Sequence, residues 1–171
     1  MIKDLFDILP IYEFEEKIDI SDWVKENQEL GISGEEIVKK YLEKKYKAIV
    51  TKMEDVAGYD LWVKMESDEF AVEVKTTEEH TETFFLTITE LQKAKKLGDK
   101  YNIYRVVKNK HSSEVYIINN PVKTLDIDID SLCIRYENNF VKIYLSDIKI
   151  VLNKMIFSNI PCFEIRENDL K

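Results

Sequence analysis

The stretch that decides the fold spans residues 58–75 and reads GYDLWVKMESDEFAVEVK. Polar and apolar side chains alternate in two runs, residues 59–65 and residues 69–75, which are separated by the polar triplet Glu-Ser-Asp. Side chains of a strand point alternately to the two faces of a sheet, so each run is typical of a β-strand. The short polar break between the two runs predicts a β-hairpin.

Three charged residues of this hairpin are expected to lie close together. Glu73 and Lys75 are two residues apart on the second strand and therefore share one of its faces. Asp60 opens the neighbouring strand. We therefore predict that two carboxylates and a lysine gather at one edge of the sheet. The opposite face of the second strand is apolar and consists of Phe70, Val72 and Val74.

A helix is predicted upstream of the hairpin, starting at Ser33. Ser33 and Glu36 have the spacing of a capping box, so Glu36 is expected to serve the helix start. Glu35 is expected to face inward with the apolar stripe, where a carboxylate needs a partner or a metal ion. The alternative is a partly exposed acid that the helix dipole favours in the first turn. The apolar stripe consists of Ile37, Val38, Tyr41 and Leu42.

These residue types suggest a metal-dependent phosphodiester cleavage site. Carboxylates are the oxygen ligands that Mg²⁺ prefers, and the main-chain carbonyl of Val74 would add another oxygen beside Asp60 and Glu73. Lys75 would orient or help deprotonate the attacking water, or neutralise charge on the phosphate. Glu35 would bind a second ion or hold a water. The predicted catalytic residues are thus Glu35, Asp60, Glu73 and Lys75, and the alternative is a salt-bridge cluster across the two strands.

The rest of the first 126 residues alternates between helical and strand-like patterns. Thr87 and Glu90 have capping-box spacing, and Gly98 is a natural end for the helix that follows them. The lysines of this helix either solvate it or contact a phosphate backbone. His80 is expected to be solvated in a loop. The predicted elements are N-terminal helices within 1–32 (the second ending at Gly31), a buried strand over 47–52, a loop over 76–84, a helix over 86–98, and a hairpin of strands 101–108 and 114–119.

The last part of the chain has no catalytic constellation. We predict a hairpin around residues 137–139, a helix that starts at Ser146 or Asp147, and a final strand over 161–165. The chain is therefore divided into three parts. These are an N-terminal helical extension (1–27), a core (28–126), and a C-terminal hairpin and helix extension (127–171) that packs on or beside the core.

Composition restricts the class of protein. The 171 residues are 44% hydrophobic and 34% charged, and no apolar run is long enough to cross a bilayer, so a soluble domain without membrane association is expected. With no secretory signal, we expect a cytoplasmic protein whose Cys133 and Cys162 are reduced core thiols. The net charge of −8 argues against a basic nucleic-acid-binding surface over the whole protein, although a local basic face is compatible with it.

Several segments resemble a known domain family. The pattern of Asp60 followed by Glu73-Val74-Lys75 is similar to the PD-(D/E)XK nuclease superfamily, with Tyr59 where that superfamily has proline. More narrowly, residues 28–126 resemble the domain at the C terminus of the plant protein NO VEIN. The segments that carry this resemblance are Gly34-Glu35-x-x-Val38, Gly58-Tyr59-Asp60, Glu73-Val74-Lys75-Thr76, Leu86-Thr87-Ile88-Thr89-Glu90 and Tyr101-x-x-Tyr104-Arg105-Val106.

The resemblance implies a fold and a function. The fold would be of the α/β (α+β) class, with a restriction-endonuclease-like core in which helices flank a central mixed sheet, and Mg²⁺ (or Mn²⁺ in its place) would bind at Asp60 and Glu73. The function would be endonucleolytic hydrolysis of DNA in restriction, phage defence or repair. The protein would act as a homodimer or as a subunit beside a helicase, ATPase or specificity partner. The alternative is a catalytically inactive module with the nuclease fold that binds DNA or a helicase or ATPase partner.

Overall fold

The computed structural model describes residues 20–78, 83–127, 134–136, 139–141, 147–151 and 159–170. Its helices are α1 (Ile20–Tyr46), α2 (Ile88–Leu97) and α3 (Pro121–Thr124). Its strands are β1 (Ile49–Lys52), β2 (Leu61–Lys64), β3 (Glu69–Thr77), β4 (Thr83–Thr87), β5 (Tyr101–Lys108), β6 (Ser112–Asn119), β7 (Ile134–Tyr136), β8 (Asn139–Val141), β9 (Asp147–Val151) and β10 (Cys162–Arg166). None of the helices within these ranges is long and apolar enough to cross a membrane.

A six-stranded mixed sheet forms the centre of the fold. Its strand order is β1-β2-β3-β5-β6-β10, and β3 pairs with β5 in parallel while the other neighbours are antiparallel. Parallel neighbours need a crossover connection, which here contains β4 and α2. The predicted class, a central mixed sheet flanked by helices, is therefore confirmed.

The two faces of the sheet bury different helices. On one face, Val38 and Leu42 of α1 pack against Val72 of β3 in one apolar cluster. On the other face, Leu91 of α2 packs in a second cluster that includes Ala71. The predicted alternation along β3 is confirmed, and the structure adds that its even-numbered residues face α1 and its odd-numbered residues face α2.

Helix α1 differs from its prediction because it does not stop at Gly31 and restart at Ser33. It runs without a break through both residues, and the Ser33 hydroxyl accepts a hydrogen bond from Lys108 Nζ at 3.1 Å. Gly34 explains the continuity, since it lets the helix contact β3 closely. A Cβ atom on Gly34 would lie 1.9 Å from Thr76 Oγ1 and 2.9 Å from Thr76 Cβ. Tertiary packing thus outweighs the weak helix propensity of glycine.

Two shorter predictions also need correction. Strand β1 exists, but it is not a buried run, because Ile49 is 69% exposed while Val50 is 7% exposed. One face of this outer strand packs against the core and the other faces solvent. The loop predicted over 76–84 is also too long, since β3 continues to Thr77 and β4 begins at Thr83. His80 lies outside the described residues.

The predictions for α2 and for the β5–β6 hairpin are confirmed. Thr87 caps α2 with the predicted capping box to Glu90, and Gly98 follows its last residue. Strands β5 and β6 pair in antiparallel register, with Tyr104 opposite Ile117. The capping box and the hairpin both form between residues that are close in the chain, so the local sequence pattern predicts them.

The C-terminal part contributes strands to the core. The predicted hairpin around residues 137–139 agrees with β7 and β8. The helix predicted from residue 146 or 147 is wrong, because residues 147–151 form β9 and pair with β4. Strand β10 agrees with the predicted last strand and pairs with β6, so it extends the central sheet. Cys162 is a free, exposed thiol rather than a core thiol, and Cys133 lies outside the described residues, as do the N-terminal residues 1–19.

The contact of Gly34 with Thr76 gives a prediction about stability. We expect Gly34→Ala to lower the free energy of unfolding by about 1–3 kcal/mol, because the added methyl group forces α1 away from β3. Gly31→Ala is the matched control, since a Cβ there meets no atom within 4 Å and should stabilise the same helix by about 0.5–1 kcal/mol. Thermal or denaturant unfolding measures both changes, and equal effects of the two variants would contradict the close approach.

Candidate active site

The site begins where β2 and β3 separate. Leu61 pairs with Val72, and the Asp60 amide donates a hydrogen bond to the Val72 carbonyl at 3.1 Å. The next β3 amide that points toward β2 belongs to Val74, and it donates a hydrogen bond to Asp60 Oδ2 at 2.6 Å. The carboxylate therefore occupies the position that a paired strand would otherwise fill. The sequence placed this cluster at a sheet edge, but β3 is an interior strand and the cluster lies where its neighbour diverges.

The turn before Asp60 is held by two neighbouring elements. Gly58 has φ of 75°, a backbone conformation that favours glycine, and a Cβ there would lie 3.1 Å from the Thr89 carbonyl oxygen of α2. The Tyr101 hydroxyl of β5 donates to the Gly58 carbonyl at 2.9 Å. Together these contacts fix the direction from which Asp60 approaches β3.

Lys75 lies between two carboxylates from different elements. Its Nζ is 2.7 Å from Glu73 Oε1 on β3 and 3.0 Å from Glu90 Oε2 on α2. All three side chains are largely buried, with 22%, 5% and 13% of their area exposed for Lys75, Glu73 and Glu90. The sequence assigned Glu90 to the capping box alone, so this second contact was missed. Its position in the first turn of α2, on the face toward β3, is the signal that could have indicated it.

A cavity of about 390 Å³ lies at the fork between β2 and β3, and both carboxylate partners of Lys75, Glu73 and Glu90, line it. Three of its lining residues, Asp60, Glu73 and Glu90, are acidic. The cavity is therefore an acidic cleft with Lys75 in contact with two of its three carboxylates. Its lining consists of Gly58, Tyr59, Asp60, Glu73, Thr87, Thr89 and Glu90.

Burial dominates the electrostatics of the cleft. It raises the pKa of Asp60 to about 6, although the Val74 amide and Lys75 act to lower it and the charges of Glu35 and Glu90 raise it further. Burial likewise raises the pKa of Glu73, against the opposing effect of Lys75. Burial acts to lower the pKa of Lys75, but the charges of Glu73 and Glu90 outweigh it and the pKa is raised. These surroundings thus keep Lys75 as an ammonium ion and disfavour the charged forms of Asp60 and Glu73.

Glu35 approaches the site from the other layer of the fold. It belongs to α1, which packs on the sheet face opposite to Glu73, and its Oε2 lies 3.0 Å from Lys52 Nζ. Its side chain is 21% exposed, compared with 43% for Glu36. Glu35 is near enough to raise the pKa of Asp60. The structure therefore brings Asp60, Glu73 and Lys75 together, adds Glu90, and leaves Glu35 beside Asp60 in an ion pair with Lys52.

The donor atoms of the cleft fit a hard divalent cation. Buried carboxylates with raised pKa values are stabilised by a nearby positive charge, and oxygen ligands suit Mg²⁺. Within the described residues, no cluster of three or more acidic, histidine or cysteine side chains has the geometry of a metal site. Asp60 and Glu73 are the two carboxylates that could hold an ion here, and Lys75 contacts Glu73.

Comparison with known proteins found one matching family and a similar solved structure. Residues 34–118 match the family described as Protein NO VEIN, C-terminal. The match confirms the resemblance found in the sequence, and the NO VEIN-type segment contains Asp60, Glu73, Lys75 and Glu90. The chain is also similar in structure to Hjc of Archaeoglobus fulgidus, a Holliday junction resolvase from an archaeal hyperthermophile. That similarity has a TM-score of 0.45 at 14% sequence identity and covers 77% of this chain and 89% of that chain. No curated protein matches the sequence significantly.

The buried carboxylate of Asp60 gives a prediction about stability without metal. Above pH 6 Asp60 is charged in the folded protein, and its buried charge lowers the free energy of unfolding. This cost decreases as the pH falls and is absent below pH 3.8, the ordinary pKa of an aspartate, because Asp60 is then protonated in both the folded and the unfolded protein. At pH 8 with a chelator, Asp60→Asn should therefore raise the free energy of unfolding by about 1–3 kcal/mol. Thermal unfolding measures the change, with Glu66→Gln on the exposed hairpin turn as the control. A lower melting temperature for Asp60→Asn would contradict the assignment of burial as the dominant effect.

Proposed function

We propose that this domain is a metal-dependent deoxyribonuclease that hydrolyses phosphodiester bonds of DNA, with Mg²⁺ as the cofactor and Mn²⁺ as a substitute. The observation that supports this most directly is that Asp60 and Glu73 line one cleft where β2 leaves β3, with Lys75 in contact with Glu73. Two acidic oxygen donors and a buried ammonium group are the functional groups that such hydrolysis requires.

Asp60 and Glu73 would hold the cation through their carboxylates, and Val74 would add its main-chain carbonyl. The two backbone polar groups of a strand residue point to the same neighbouring strand. The Val74 carbonyl therefore points to the side of its amide, which contacts Asp60 at 2.6 Å. When bound, the cation would polarise the phosphate and lower the pKa of a water molecule.

Lys75 would act on the charge of the phosphate rather than as a base. Its two carboxylate partners keep it protonated, and an ammonium group donates hydrogen bonds to phosphate oxygens on which negative charge develops. Glu35, beside Asp60 and paired with Lys52, would bind a second ion or hold a water.

DNA would contact the rim of the cleft, and other subunits would help to present it. Lys93 of α2 lies with its Nζ 5.5 Å from the centre of the Tyr59 ring, at the edge of the cavity, where a phosphate could bind. The net charge of −8 supports delivery of DNA by a second copy of the chain or by a helicase, ATPase or specificity partner. Restriction, phage defence and DNA repair are the settings in which such an enzyme would act.

The proposal predicts that Lys75 is essential for cleavage. Lys75→Ala should lower the rate of plasmid nicking in Mg²⁺ or Mn²⁺ by about 100-fold, the usual loss when a group that stabilises developing charge is removed. Lys64→Ala, which changes an exposed lysine of the same hairpin, should leave the rate unchanged. Equal nicking by the wild type and Lys75→Ala would refute the proposal, since a contaminating nuclease would then account for it.

A second prediction concerns the metal alone. Glu73→Gln should weaken Mn²⁺ binding at least about tenfold. Loss of a residue that only orients a metal ligand already lowers the affinity by about that factor, and loss of a ligand itself should lower it at least as much. Isothermal titration calorimetry or electron paramagnetic resonance of Mn²⁺ measures the affinity without DNA. Glu66→Gln serves as the control, and an unchanged affinity in Glu73→Gln would place any bound metal elsewhere.

One observation favours the alternative of an inactive module that binds DNA or a partner. Lys75 is already paired with both Glu73 and Glu90, as in an ion-pair network that serves structure alone. A gel shift of DNA by the wild-type protein, without cleavage in either metal, would support this alternative. Cleavage that depends on metal and on Lys75 would exclude it.

A further inference from the structure

We propose that Glu90 is a positioning residue that holds the Lys75 ammonium group in place for the reaction. The proposal rests on the nuclease function put forward above and adds a residue from outside the hairpin to that site. Lys75 has a long, flexible side chain, and two carboxylates from different elements restrict it better than one. Its Nζ lies 2.7 Å from Glu73 Oε1 and 3.0 Å from Glu90 Oε2.

The carboxylate of Glu90 is itself fixed by the start of α2. The Thr87 amide donates a hydrogen bond to Glu90 Oε2 at 3.0 Å, and the Glu90 amide donates to Thr87 Oγ1 at 3.2 Å. The same oxygen therefore accepts from the helix cap and from Lys75. Because the Thr87 main-chain amide binds this oxygen, Glu90 presents its charge to Lys75 in a defined direction.

Glu73 cannot serve this purpose alone if it also holds a cation. A carboxylate that binds a metal ion shares its negative charge with that ion and attracts a neighbouring ammonium less strongly. Glu90 would then supply the remaining attraction that keeps Lys75 beside the cleft. It lines the same cavity as Asp60 and Glu73, so it lies close enough to do so.

Two variants separate this role from helix capping. Glu90→Gln keeps an amide oxygen that can complete the capping box but removes the charge that binds Lys75. Thr87→Ala removes the cap but keeps the carboxylate, so it should lower the melting temperature by more than Glu90→Gln does. The pair therefore distinguishes loss of Lys75 positioning from loss of helix stability.

The first measurement is the reactivity of Lys75 in the metal-free protein. Acetic anhydride labelling followed by peptide mass spectrometry gives the reaction rate of each lysine, with exposed Lys96 as the internal reference. We expect Glu90→Gln to raise the labelling rate of Lys75 several-fold relative to Lys96, and Thr87→Ala to leave that ratio unchanged. An unchanged Lys75 ratio in Glu90→Gln would overturn the proposal whether or not the protein cleaves DNA.

The second measurement is cleavage of DNA under single-turnover conditions. Glu90→Gln should lower the maximal rate by about 10- to 100-fold while the DNA concentration for half-maximal rate stays the same, because Lys75 is misplaced and DNA binding is not impaired. Cleavage by Glu90→Gln at the wild-type rate would overturn the positioning role. If the wild type never cleaves DNA but Glu90→Gln still raises the labelling of Lys75, the nuclease function is refuted. The contact of Glu90 with Lys75 is then still supported.

Discussion

The hydrogen bond between the Val74 amide and Asp60 marks the separation of β2 from β3, and the rest of the site depends on it. A buried amide without a partner is costly, so a strand that loses its neighbour inside a sheet needs another acceptor. Asp60 Oδ2 provides it at 2.6 Å and is thereby tied to the strand that carries Glu73 and Lys75. The same separation opens the cavity beside β3. One bond thus satisfies the backbone and orients a carboxylate beside the cavity.

Local patterns predicted the parts of the fold that depend on neighbouring residues. Alternation along residues 69–75 gave the shared face of Glu73 and Lys75, because that periodicity is a property of the strand itself. Two capping-box patterns of equal quality predicted two helix starts, yet only Thr87 with Glu90 forms one. Ser33 fails because α1 already extends past it, stabilised by close packing on β3 at Gly34. A four-residue pattern contains no information about such packing.

Local sequence patterns could not predict the contacts between segments that are far apart in the chain. The pairing of β4 with β9, and of β6 with β10, joins segments that lie more than 40 residues apart in the chain. The face of Lys75 and the helical position of Glu90 could each be derived, but their meeting at 3.0 Å depends on how the crossover seats α2. Glu35 illustrates the same limit, since its inward phase on α1 did not indicate an ion pair with Lys52 of β1. Motif spacing therefore gave three members of the cluster, and the tertiary fold gives the fourth.

The balance of charge in the cleft supports the proposed active site over a salt-bridge cluster. A cluster that serves stability alone would match each buried charge with an opposite one, since unmatched buried charge is costly. Here Glu73 and Glu90 share Lys75, while burial raises the pKa of Asp60 to about 6 despite its short hydrogen bond to the Val74 amide. The protein therefore retains an excess of negative charge at a cost in folding stability. Such a cost is typical of sites that a bound ligand completes, and the proposed divalent cation would match this excess in charge and in its preference for oxygen ligands.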